Sequence, residues 1–106
     1  MTARHTHLEP GVIRVETRPG APPVVTLHGE LDLASVDGFR TQLKAVAELS
    51  SSVVVDMAGT TFIDGSVLGA LAGASAWFPG GVAVKGASGM VAKVFRLGNM
   101  EHLLAD

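Results

Sequence analysis

Two short loops hold the residues whose types and spacing could carry chemistry. Gly29-Glu30-Leu31-Asp32 sets two carboxylates two positions apart beyond an apolar run, and Asp64-Gly65-Ser66 sets a carboxylate and a hydroxyl at the start of another. Asp64 and Ser66 both suit a helix N-cap, because a side-chain oxygen there accepts an otherwise unpaired N–H of the first turn. A hydroxyl in that place also suits phosphorylation or contact with an anion, since the open N–H groups and the helix dipole favour negative charge. Glu30 and Asp32 on their own read as solvated turn residues, so only the combination points to a site. Other chemistry is thin. Gly65-Ser66-Val67 lacks the Gly-x-Ser-x-Gly spacing of a nucleophile elbow, and Gly86 to Lys93 lacks the Gly-Lys-Ser/Thr of a phosphate-binding loop. His5, His7, His28 and His102 form no metal-binding pattern, and the absence of cysteine removes thiolate ligands and thiol catalysis together. The expectation from these residues is no catalytic residue, no metal and no cofactor.

The elements that position these loops follow from hydrophobic periodicity. Val12, Ile13, Val15 and then Val24, Val25, Leu27 read as two strands, with Thr17 to Pro23 as the loop between them and Gly29 as the end of the second. Glu30 to Ala34 reads as a polar turn leading to Ser35, a helix N-cap with Asp37 in the first turn. Val36, Phe39, Leu43, Val46 and Ala47 form one stripe at the 3.6-residue period, which predicts an amphipathic helix laid on a sheet. Val53-Val54-Val55 reads as a central strand buried on both faces. A turn at Ala58-Gly59 then leads to a short extended piece, Thr60 to Ile63, and to a second helix opening at Asp64.

That second helix is apolar or small all round as far as Trp77, so it must be covered on most sides or offer a face to a partner. Its Gly69 and Gly73 predict a close approach to the sheet. Val82 to Val84 is a further strand. Ser88 opens a third helix with Val91, Val94 and Phe95 inward and Gly98 as its C-cap, and Met100, Leu103 and Leu104 finish a short terminal helix. Strands and helices alternate in the order β, β, α, β, α, β, α, which is an α/β domain with a partly parallel sheet. Sites in such sheets gather at the carboxyl ends of strands, where Glu30, Asp32 and Asp64 share one rim if their strands are neighbours.

Composition narrows the partners. Of 106 residues, 14 are Ala, 14 Val and 13 Gly, enough for one domain with one core and too few for two domains. Charged residues are 17% of the chain and the net charge is −2, which gives no basic footprint for nucleic acid. The apolar run Val67 to Phe78 is 12 residues, short of the roughly 20 that span a bilayer, so it reads as a buried helix and no membrane insertion is expected. Residues 1–10 read as a flexible leader with no signal-peptide core, and with no cysteine this places the chain in a reducing cytoplasm. The apolar second helix could close a homodimer as readily as bind another protein.

Gly29-Glu30-Leu31-Asp32, the amphipathic helix after it, Val53-Val54-Val55-Asp56-Met57, Phe62 to Leu71 and Phe95-Arg96-Leu97-Gly98-Asn99-Met100 together resemble the STAS domain of bacterial anti-sigma factor antagonists over residues 11–106. The resemblance implies a small mixed sheet with helices packed mainly on one face. It also implies binding to an anti-sigma factor, a serine kinase of the histidine-kinase-like ATPase type, which frees a sigma factor for transcription. Phosphorylation of the antagonist by that kinase ends the complex, and a PP2C-type phosphatase restores it. Glu30, Asp32, Asp64, Gly65, Ser66, Val67 and Leu68 would then meet the partner.

The family's loop reads Asp-Ser-Ser/Thr-Gly-Leu, whereas this chain reads Asp64-Gly65-Ser66-Val67-Leu68. The usual phosphoacceptor position is therefore Gly65, and Ser66 is the remaining acceptor candidate. Three roles follow: an antagonist that its kinase does not switch off, an antagonist modified at Ser66, or a STAS domain used elsewhere. Elsewhere means a subunit of a larger complex such as an ABC lipid transport system, or a sensor of a nucleotide or other small molecule.

Overall fold

The computed structural model describes residues 12–105, so the leader expected over residues 1–10 lies outside them. Alternating apolar residues build an antiparallel pair, β1 (Val12–Arg18) and β2 (Ala21–Leu31), joined at Pro19-Gly20. The connection is thus shorter than the expected Thr17 to Pro23 loop. Pro22 and Pro23 sit inside β2, between the paired residues Ala21 and Val24, where the ladder is irregular and a missing N–H costs little. Gly29 does not end β2 either. It adopts φ +88 beside a shift in register, and the strand runs on to Leu31, which places Glu30 in the strand and not in a turn.

β3 (Ser52–Ile63) lies between parallel neighbours β2 and β4 (Gly81–Lys85), in the order β1-β2-β3-β4. The Val53-Val54-Val55 run is central as expected, although Val54 is only half-buried because its face of the sheet lies away from the helices. The turn expected at Ala58-Gly59 is absent. β3 continues through it with two register shifts, so that Val54–Ile63 of β3 runs beside Val24–Leu31 of β2 with two residues more. Each shift is a bulge that twists the strand and changes which residues face the core. Burial therefore moves from Val53, Val55 and Met57 to Thr60 and Ile63, and the Thr60 hydroxyl donates to the Leu27 carbonyl at 2.9 Å.

Three helices cover one face of this sheet: α1 (Val36–Ala47), α2 (Gly65–Ser75) and α3 (Gly89–Leu97). A 3-10 turn, Leu33–Ser35, precedes α1, and a second, Glu101–Leu103, replaces the expected terminal helix before Leu104 bridges to Val84. The α1 stripe behaves as its spacing predicts, with Val36, Phe39, Leu43 and Val46 buried. These meet Val25, Leu27 and Leu31 of β2, Val55 and Ile63 of β3, Leu71 of α2 and Phe95 of α3 in one core. Gly69 and Gly73 correct the sequence reading. Both are exposed, and a Cβ added at either would meet nothing within 4 Å, so they leave an open surface on α2 and do not draw it onto the sheet.

Phe95 is fully buried. Phe95→Ala is expected to destabilise the domain by about 3–5 kcal/mol through lost burial and the cavity left behind, read from the urea midpoint at unchanged slope; a loss below about 1 kcal/mol would place α3 outside the cooperative core.

Candidate functional site

The two loops meet because their strands end together. Leu31 pairs with Ile63, and the Asp64 amide donates to the Leu31 carbonyl at 3.2 Å. Asp32 leaves β2 and Asp64 leaves β3, each opening a helical turn. The Asp32 carboxylate accepts from the Ala34 amide at 3.0 Å and caps the 3-10 turn, while Ser35, the expected cap of α1, makes no capping bond with its side chain. Glu30 is set apart from this pair. It sits opposite Phe62 in the sheet, half-buried, on the face away from the helices.

Asp64 is the most constrained of the candidates. Its Oδ1 accepts from the Ser66 amide at 2.8 Å, and the Ser66 hydroxyl donates to the same oxygen. The Ser66 hydroxyl is the largest influence holding the Asp64 carboxyl below the usual carboxylate range; partial burial opposes it, and the amides of Ser66, Val67 and Leu33 reinforce it. The Asp64 amide, bound to the Leu31 carbonyl, is what ties this loop to the end of β2. A fixed anion at the start of α2 also complements the positive end of the helix dipole.

Gly65 is exposed, and a Cβ added there would meet nothing within 4 Å. Val67 departs from its expected place at a partner surface: it is 1% exposed and belongs to the core. Leu68 is nearly buried but reaches the edge of a groove that the sequence did not reveal. Gly65, Leu68, Gly69 and Ala72 of α2 form one wall, and Val94, Leu97, Gly98 and Met100 form the other, around about 440 Å3. None of the described lining residues is charged. Gly98 permits this close approach, because a Cβ there would meet Leu68 Cδ2 at 2.6 Å.

Leu97 is 77% exposed beside the groove and Leu33 is 72% exposed on the turn that reaches Asp64. The local signals for this surface were the all-round apolar α2 and its small residues, but the second wall comes from residues about 25 positions later, beyond any local pattern. Among the described residues, no group of three or more His, Asp or Glu could hold a metal ion. No helix of the described residues is long and apolar enough to cross a membrane.

Comparisons with known proteins agree on the fold. The family model described as "Mlab, STAS domain" matches residues 15–105. The anti-sigma factor antagonist SpoIIAA in its unphosphorylated form superposes with a TM-score of 0.80 at 21% identity, over 90% of this chain and 87% of that one. An anti-sigma factor antagonist from Mycobacterium paratuberculosis does so with a TM-score of 0.80 at 20% identity, over 91% of this chain and 84% of that one. The murine Solute Carrier 26 family member A9 anion transporter matches with a TM-score of 0.57 at 16% identity, over 87% of this chain but only 18% of the transporter. No curated protein matches the chain.

The Ser66 hydroxyl is expected to govern the Asp64 titration. In Ser66→Ala the Asp64 pKa should rise toward its ordinary value, followed by carboxyl carbon NMR. A depressed folded pKa contributes stability that is present above the unfolded pKa and lost as pH falls through the folded one. The variant should therefore begin to lose this contribution at higher pH than the parent, and an unchanged Asp64 titration would remove the hydroxyl as the cause.

Proposed function

The chain belongs to the STAS domain family, and from that premise we propose that it is an anti-sigma factor antagonist, a cytoplasmic binding protein that captures an anti-sigma factor of the serine kinase type and so frees a sigma factor. The observation that carries this reading is the continuity of the rim with the groove. Gly65 follows the charged Asp64 directly and also lines the uncharged groove between α2 and α3. An acidic rim beside an apolar groove is a surface for a protein, since the charge sets orientation and approach and the groove supplies burial. Fold likeness to two anti-sigma factor antagonists supports the general role.

The regulation proposed is atypical. A phosphate beside Asp64 would add a charge of about −1.5 to −2 next to a carboxylate and at the mouth of an apolar groove, which opposes docking. Gly65 has no hydroxyl to carry it, so the antagonist stays in its binding state; Ser66, with its hydroxyl committed to Asp64, is the remaining acceptor candidate, and a PP2C-type phosphatase would act only if it is modified. Asp32, Asp64, Gly65, Ser66 and Leu68 are the proposed contact residues, and Glu30, on the other face of the sheet, is not among them. A second reading has one observation in its favour: a groove without charge also suits permanent docking, as in a STAS subunit held on the ATPase of an ABC lipid transport system.

Asp64→Lys reverses the charge at the rim and should weaken binding of the anti-sigma factor at least about tenfold, measured by calorimetry, with near-native circular dichroism. Undiminished binding would take this loop out of the interface. Gly65→Ser has room for its side chain, and incubation with the cognate kinase and ATP should give it one phosphate by intact mass where the parent takes none; a Gly65→Ser chain that stays unmodified in a complex it still forms would contradict the assignment of that position.

A further inference from the structure

The face of the sheet away from the helices carries a depression that no rim residue lines. Val12 and Arg14 of β1 and Thr26 and His28 of β2 enclose about 280 Å3. Val12 pairs with His28 and Arg14 with Thr26, so all four side chains project to one face. The space between the strands depends on β3. His28 is opposite Gly59, where a Cβ would meet His28 Cδ2 at 2.6 Å. The imidazole therefore lies over the glycine.

Charge on this face is unevenly committed. Arg14, Thr26, Asp56 and Lys85 form a row across the four strands. Asp56 is held at the far end of it, 3.9 Å from the Lys85 ammonium and accepting the Ala58 amide at 2.9 Å. Glu16 shares the face two residues from Arg14, and among the described residues neither it nor any other carboxylate pairs with the Arg14 guanidinium. The depression thus offers an uncommitted planar fork of donors, the Thr26 hydroxyl beside it and the apolar side of Val12.

We propose that this depression binds a small organic carboxylate, its head on Arg14 and Thr26 and a short aliphatic chain against Val12. A guanidinium matches a carboxylate through two parallel hydrogen bonds. A dianionic phosphate fits less well, because Arg14 is the one Lys or Arg among the described residues that line the depression, while Glu16 and Asp56 occupy the same face. The site lies on the opposite side of the sheet from the groove between α2 and α3, and its occupation is independent of the partner proposed for that groove.

The test is a nitrogen–proton NMR titration of the full chain with sodium butyrate, with inorganic phosphate and sodium chloride in separate arms at matched ionic strength. Butyrate should produce saturable shifts confined to Val12, Arg14, Thr26 and His28 and their strand neighbours. Arg14→Gln should weaken the apparent affinity by about tenfold and Thr26→Val by a smaller factor, with the unfolding midpoint of each variant unchanged. Shifts that never saturate, that chloride reproduces, or that survive Arg14→Gln would overturn the site. Tighter binding of phosphate than of butyrate would overturn the carboxylate assignment.

Discussion

One hydrogen bond fixes the relation on which the rest of the site depends. The Asp64 amide donates to the Leu31 carbonyl at 3.2 Å, where two buried residues, Leu31 and Ile63, end parallel strands side by side. β3 reaches that point only because its two bulges take up the residues by which it exceeds β2. A β3 without those bulges would carry Asp64 past the end of β2. The Asp64 carboxylate, bound to the Ser66 amide and hydroxyl, would then open α2 away from the end of β2.

From that junction the surface is built outward. The cap on α2 sets the helix direction, α2 turns Gly65, Gly69 and Ala72 away from the core, and Gly98 lets the end of α3 close against Leu68. A charged rim and the groove beside it thus result from one helix start. The loop lacks a hydroxyl at its most exposed position, Gly65, and the hydroxyl it does hold, on Ser66, is hydrogen-bonded to the cap. Modification of Ser66 would have to break the contact that orders the loop.

Local physics made most of the elements legible from sequence. The α1 stripe, the β-branched run of β3, the apolar character of α2 and the Asp64 cap each express a period or a capping preference contained within a few residues. The misreadings came where a distant segment decides. Ala58-Gly59 has turn composition, yet pairing with β2 keeps it extended, and Gly29 carries its positive φ inside a strand for the same reason. Pro22-Pro23 reads as a loop but falls where the ladder has a gap. Val67 follows the cap and therefore looked like part of the site, whereas the helical period turns it to the core. The groove and the depression beside Arg14 depend on residues brought together by topology alone.

In the proposed function the rim and groove hold an anti-sigma factor, and Gly65 cannot carry the phosphate that would release it. The most direct test is a native pull-down with the full chain as bait in a lysate of its own cells, with the bait's intact mass measured in the same run. A histidine-kinase-like ATPase should co-purify with an unmodified bait. Recovery of ABC transporter subunits in its place, or of the kinase with a bait carrying phosphate, would contradict it.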